Sequence, residues 1–276
     1  MRDLSKDRSL LAINSATVKP WTLEQLVEGC VRAGITAIAP WRDIVQATGV
    51  EKAGSLIRAA GLTVSCYCRA GLFPAADEAG RRAALDDNRR AVDEAAAIGA
   101  RSLVLIAGGL PKGSKDLAGA HQQVYDGIAA LLPHARESGV PLAIEPLHPM
   151  YAADRACVNT LAHARDLCDQ LGDGVGLAVD VYHVWWDPDL AAQITRAGNR
   201  ILTYHVCDWL VPTRDLLLDR GMPGDGVIDL RSIRAMVEAT GYHGHIDVEI
   251  FSAQNWWKRE PSEVLRICLE RHQSVV

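Results

Sequence analysis

Eight times along the chain a short apolar run gives way to a longer amphipathic stretch, and few folds accommodate that alternation. The apolar runs fall at residues 10–15, 35–40, 63–68, 102–107, 142–145, 175–180, 201–206 and 245–250. Stretches between them, such as 22–33, 81–98, 122–138, 160–170 and 230–239, carry apolar residues at helical spacing. Strands alternating with helices imply a parallel sheet, because each helix returns the chain to the same sheet edge before the next strand begins. Eight such units in 276 residues match the roughly 250 residues of a closed (β/α)8 TIM barrel. No linker or break in composition interrupts residues 1–276, so one domain is expected. An open doubly wound sheet is the alternative. The absence of GxGxxG after the first run lowers its dinucleotide-binding version.

Turn chemistry agrees with this reading. Asp229 stands as an N-cap before Leu230, Ile233 and Val237, while Gly139, Gly172 and Gly241 follow amphipathic stretches as C-terminal stops. The recurring phrases AGIT, AGLT, IGARS and SGVP, each a glycine leading into an apolar run, have the form of helix-to-strand turns.

Composition narrows the class. Hydrophobic residues make up 49 %, enough for a full core. A net charge of −5 without a dense Lys/Arg cluster disfavours a nucleic-acid partner. The opening MRDLSKDRSL lacks the apolar centre of a signal peptide, and no stretch approaches the ~18 uninterrupted apolar residues of a membrane span. Seven scattered cysteines with no CxxC pair read as reduced thiols, so a cytoplasmic location is expected.

In a parallel barrel the chemistry sits at the C-terminal ends of the strands. Those ends include IEPLHP, VDVYHV, YHVCDW and VEIF. Side chains alternate along a strand, so parity separates inward from outward residues. With Leu142 and Ile144 facing helices, Ala143 and Glu145 point inward. With Leu177 and Val179 outward, Gly176, Ala178 and Asp180 point inward. Leu202 and Tyr204 outward leave Thr203 and His205 inside. Ile246, Val248 and Ile250 outward leave Asp247 and Glu249 inside. Four consecutive strands thus aim Glu145, Asp180, His205 and Glu249 into one mouth. Three carboxylates sharing an apolar barrel repel unless one is protonated or a cation lies among them. Oxygen ligands with one imidazole suit Mn²⁺ first, with Mg²⁺, Co²⁺ or Zn²⁺ as alternatives. The competing reading is a metal-free carboxylate pair of the glycosidase kind, which leaves His205 and the third acid without a role.

IEP at Glu145, DVYH from Asp180 to His183, YHV at His205 and VEI at Glu249 resemble the xylose isomerase-like superfamily. The pattern is most similar to its sugar phosphate isomerase/epimerase branch, which includes ketose 3-epimerases, inosose dehydratases and hydroxypyruvate isomerases. The resemblance spans the chain. It implies a metal held by Glu145, Asp180, His205 and Glu249, with His183 lining the pocket and the two glutamates as the paired acid/base groups. A basic residue after the seventh strand belongs to the pattern, and Arg214 is the nearest candidate. The second epimerase glutamate, a few residues beyond the first, is absent; EPLHPMYAADR offers His148 as a catalytic substitute. That segment, the long loop DWLVPTRDLLLDRGMPGDGVIDL and EIFS with its following tryptophans resemble a subgroup containing catalytic subunits of C-glycoside deglycosidases. Such a subunit implies elimination from a 3-oxo-glucoside and a small β-rich partner.

The expected activity is therefore abstraction of a proton beside a carbonyl of a ketose or oxidised sugar, by an isomerase, an epimerase or a lyase. Trp41 and Trp185 are candidate aromatic walls for a sugar or glycoside. Arg69 and Asn14 are pocket candidates by position, and Arg220 flanks a lid-like MPGDG turn. A DNA-repair function of the endonuclease IV kind needs more histidines and a basic surface than this chain carries. Outward tryptophans suggest a homo-oligomer.

Overall fold

A computed structural model describes residues 2–276. In chain order the elements are β1 (Leu11–Asn14), α1 (Leu23–Ala33), β2 (Ala37–Ala39), α2 (Arg42–Thr48), α3 (Val50–Ala59), β3 (Thr63–Val64), β4 (Tyr67–Gly71), α4 (Glu78–Ile98), β5 (Leu103–Ile106) and α5 (Leu117–Glu137). The second half holds β6 (Leu142–Glu145), α6 (Leu161–Leu171), β7 (Val175–Asp180), α7 (Val181–Val184), α8 (Leu190–Ala197), β8 (Ile201–Val206), β9 (Asp208–Trp209), β10 (Arg220–Gly221), α9 (Leu230–Ala239), β11 (Ile246–Val248) and α10 (Pro261–Ser274).

Nine parallel strands run β3-β2-β1-β11-β8-β7-β6-β5-β4. The two ends of that order are halves of one expected strand, 63–68, broken at Ser65–Cys66. On one side Ser65 donates its N–H to Ile38 O, and on the other Tyr67 N–H donates to Ser102 O, so the split strand bridges β2 and β5 and closes the barrel. Between β4 and β5 the register slips: Tyr67 pairs with Leu103 and Ala70 with Leu105, leaving Cys68 and Arg69 opposite Val104 alone. This bulge carries Arg69 to the mouth beside Cys68.

The helices begin and end for local reasons. Thr22 and Gln25 form a reciprocal capping box at α1. Asp77, Thr160 and Asp229 accept the first free N–H groups of α4, α6 and α9. The expected starts at 81 and 122 fall short because Asp77 and Asp116 cap those helices a turn earlier.

Two layers of apolar side chains result. Leu142, Ile144, Leu177, Val179, Tyr204, Ile246 and Val248 pack outward under the helices. Ala39, Cys66, Cys68, Val104, Ala143 and Ala178 fill the interior. One residue departs from parity: Leu202 packs against the interior group. The β7–β8 register slips between Leu177 and Ala178, and a Cβ on Gly176 would lie 2.6 Å from Leu202 Cγ. Glycine there makes room for an inward leucine. The strand between the sixth and eighth barrel positions is followed by an antiparallel ribbon of β9 and β10. Arg220 N–H donates to Phe251 O and Ala253 N–H to Leu218 O, strapping the ribbon to the chain after β11.

Candidate active site

Glu145 and Asp180 end their strands, His205 lies near the end of β8, and Glu249 directly follows β11. One ligand atom from each lies within 4.8 Å of the others, and none of the four residues is more than 5 % exposed. His205 Nδ1 is 3.4 Å from Glu145 Oε1 and 3.7 Å from Glu249 Oε2. Both Nδ1 and Glu145 Oε1 are buried without a hydrogen-bond partner among the described residues. An orphaned lone pair facing an orphaned carboxylate oxygen fits a cation ligated by both.

The far side of the imidazole sets its tautomer. His205 Nε2 faces Cys66 Sγ at 3.4 Å and Asp247 Oδ2 at 3.7 Å. Asp247 is held in turn by Ser65 Oγ at 2.6 Å and Thr203 Oγ1 at 3.0 Å. A proton on Nε2 turns the Nδ1 lone pair toward the carboxylates, as carboxylate-backed metal-ligating histidines do. Cys66, Cys68 and His205 also lie within mutual reach. The contact to Cys68 and burial raise the Cys66 thiol well above its usual range.

The low dielectric spreads the carboxylates apart. Burial pushes Glu145 up to about 7 against the downward pull of His205. Burial acts on Glu249 in the same sense, but His205, Arg220 and Trp41 outweigh it and hold that carboxyl below its usual range. Burial opposes charging His205, yet Cys66 and the two glutamates shift it well upward, so Nδ1 takes either a proton or a cation.

Arg220 is buried among these acids. Its Nη1 lies 2.8 Å from Asp180 Oδ2 and 3.3 Å from Glu249 Oε2, with the guanidinium 4.4 Å over the Tyr182 ring and 5.0 Å over Phe251. His183 Nδ1 accepts the backbone N–H of His148, and its Nε2 lies 3.1 Å from Arg220 Nη2 and 3.6 Å from Asp180 Oδ2. Burial drives His183 down to about 3, so it stays uncharged beside Arg220.

A cavity of about 260 Å³ opens above this group. Glu145, Glu249, His183 and Arg220 supply its polar lining, and Trp41, Ile106, Leu147 and Phe251 its apolar walls. Arg69, Leu72, Tyr151 and Arg155 border it as well. Of the expected pocket residues, Trp41 lines the cavity and donates its indole N–H to Glu249 Oε1 at 3.3 Å. Asn14 reaches the same oxygen at 2.9 Å.

Three of the expected residues lie outside the cavity lining. Arg214 is 57 % exposed and paired with Asp219 outside the cavity. The arginine that enters is Arg220, because the ribbon folds back and returns a residue distant in sequence to the end of β8. His148 stacks on Trp209 at 5.2 Å and lies outside the lining, since its backbone turns into the 149–151 helical turn. Trp185 packs against Trp209 at 5.5 Å instead of forming a cavity wall. Tyr151, which sequence reasoning passed over, lines the cavity and donates its hydroxyl to Leu216 O, as does Tyr182, pinning the loop before the ribbon.

Residues 27–268 match the xylose isomerase-like TIM barrel family, and the chain belongs to it. An inosose isomerase of Bacillus velezensis is 29 % identical over 151 residues, covering 51 % of this chain and 50 % of that protein. The chain thus spans about half the length of the curated relatives it matches. A crystal structure of a Sinorhizobium meliloti 1021 protein is 62 % identical with a TM-score of 0.95, covering 96 % of this chain and 98 % of that one. An IolI protein solved with a zinc atom shares the fold at 20 % identity and a TM-score of 0.81, covering 96 % and 97 %. Among the described residues no helix is long and apolar enough to cross a membrane.

Proposed function

We propose that the chain is a divalent-metal-dependent isomerase or epimerase that removes a proton beside the carbonyl of a ketose or cyclic oxidised sugar. The observation that carries this reading is the convergence of Glu145 and Glu249 on one cavity, with Glu145 Oε1 and His205 Nδ1 left unpartnered below it. Glu145, Asp180, His205 and Glu249 would hold the ion, with Mn²⁺ the first choice; the zinc atom of the IolI protein supports Zn²⁺ as an alternative. The bound ion supplies a Lewis acid that polarises the substrate carbonyl.

The protein's own groups do the rest. Glu145, with a carboxyl poised near neutrality, accepts a proton from carbon and returns it. Glu249, fixed and kept ionised by Asn14, Trp41 and Arg220, is the partner group that accepts a proton on the other side of the substrate and returns it. Charged Arg220, with neutral His183 packed against it, stabilises charge as it develops on substrate oxygens. The inosose isomerase relatives support a cyclic keto-polyol as one substrate class.

Elimination by a lyase of the 3-oxo-glucoside type is the second reading. It is favoured by the apolar wall beside the glutamates, which would suit a departing group, and by the absence of a further glutamate in the cavity lining. Loading with Mn²⁺ and following deuterium uptake from D₂O by NMR tests both. Exchange abolished by Glu145→Gln and Glu249→Gln supports proton abstraction, and the product separates isomerisation from elimination. Bound metal without exchange into any ketose, inosose or 3-oxo-glucoside would sink the proposal.

A further inference from the structure

Two cations of the cavity have no carboxylate partner among the described residues. Arg69 stands in the β4 bulge and Arg155 in the loop after β6, and both line the same cavity as the glutamates. Neither guanidinium makes a hydrogen bond or ion pair among the described residues; Arg69 lies 6.0 Å from the Trp41 ring centroid and Arg155 5.4 Å from that of Tyr151. Buried or half-buried arginines elsewhere in the chain are matched, as Arg42 is by Asp87 and Glu94 and Arg220 by Asp180 and Glu249.

The surroundings hold this pair in place. Leu72, next to the bulge, adopts a left-handed backbone at φ 57, a conformation that costs a non-glycine residue about 1 kcal/mol. Asn88 fastens that turn by accepting from Gly71 N–H and donating to Gly71 O. Across the mouth, Gly109 lets the 153–155 segment approach: a Cβ there would lie 2.5 Å from Ala153 O. Burial, and next the charge of Arg155, hold the Arg69 guanidinium below its ordinary range, so the two cations feel one another. Asp154 is the one further carboxylate in the lining, and it is exposed and paired with neither. A divalent ion together with Arg220 would balance Glu145, Asp180 and Glu249, while Asp247 lies beneath them against Ser65 and Thr203, away from the outer pair.

Resting on the proton-abstraction reading above, we propose that the substrate is an anionic sugar, whose carboxylate or phosphate is gripped by Arg69 and Arg155 while its carbonyl end meets the glutamates. Paired guanidinium groups match the planar or tetrahedral oxyanion better than they match hydroxyls.

D-fructose, D-fructose 6-phosphate and D-fructuronate share a ketose and differ at one terminal carbon. Deuterium exchange by the Mn²⁺-loaded protein should favour one or both anions over fructose, through KM. Preference for the phosphate alone, or for the uronate alone, identifies the oxyanion. Arg69→Gln or Arg155→Gln should lower the anionic-to-neutral ratio of kcat/KM about ten-fold, the scale of a charge-assisted hydrogen bond. Arg69→Lys and Arg155→Lys, which keep the charge, should retain part of the ratio. Equal rates for all three sugars, or arginine variants that slow them equally, overturn the proposal. If none exchanges, the proton-abstraction reading falls for this class, and calorimetric titration of the same three compounds decides. Binding of an anion that depends on both arginines upholds the subsite, and equal or absent binding of all three removes it.

Discussion

The two halves of the barrel use one architecture for different ends. From β6 to β11 the strand ends carry Glu145, Asp180, His205 and Glu249, with Asp247 one step below. From β1 to β5 the corresponding interior is mostly small or apolar, Ala39, Cys66, Cys68 and Val104, and its rim supplies Trp41, Arg69, Leu72 and Ile106. Asn14 and Ser65 are exceptions, and they serve the other half by holding Glu249 and Asp247. The C-terminal half therefore carries the candidate ligands and acid/base groups, and the N-terminal half much of the cavity's rim. Strand parity governs both alike, so the division lies in which residues occupy inward positions and in the bulge at Cys68–Arg69.

Perturbing one half at a time tests this division. The deepest loss is expected in the C-terminal half: Glu145→Gln and Glu249→Gln should each slow proton exchange about 10²–10⁴-fold, measured by deuterium incorporation. An equal loss from Val104→Ala would break the comparison. In the N-terminal half, Asn88→Ala strands the N–H and C=O of Gly71 and should cost about 2–4 kcal/mol in denaturant unfolding. Metal content measured on the same variant should hold, because Asn88 touches no ligand.

A third test uses pH on the metal-free protein. Glu145 carries a folded pKa of about 7 against an ordinary 4.5, so the folded state binds the extra proton. Its stabilising contribution is complete below about pH 4.5 and is lost as pH rises through about 7, on the order of 1–3 kcal/mol. Unfolding curves in chelator at several pH values should show the decline, and Glu145→Gln should flatten it. The smallest effect is expected where the halves touch. Trp41→Phe removes one N–H from Glu249 and should cost about 0.5–1.5 kcal/mol of transition-state stabilisation, read from kcat/KM.

Legibility in sequence followed the range of the interactions involved. The strands and the inward residues Glu145, Asp180, His205 and Glu249 could be read because period-two alternation is local. Leu202 escaped because a register slip against β7 moved it inward, and such slips leave no mark in a single strand. Arg214 was preferred to Arg220 on nearness in sequence. The pairing of β9 with β10 that brings Arg220 home joins residues more than ten apart and has no periodic signature. His148 and Trp185 sit at strand ends where a pocket role is reasonable, but short helical turns rotate them onto Trp209. Arg155 was hidden by the same limit, since only the close approach of Gly109 brings its loop to the mouth.

The imidazole of His205 is a partition with a tenant on each side. Above it stand the acids of the mouth; beneath it Asp247 answers to two hydroxyls, Ser65 and Thr203, that no substrate touches. Removing either hydroxyl would make the aspartate a stronger acceptor and the nitrogen above it a more generous donor. The affinity of the proposed cation site can therefore be retuned from beneath, through Ser65 or Thr203, without touching the cavity lining.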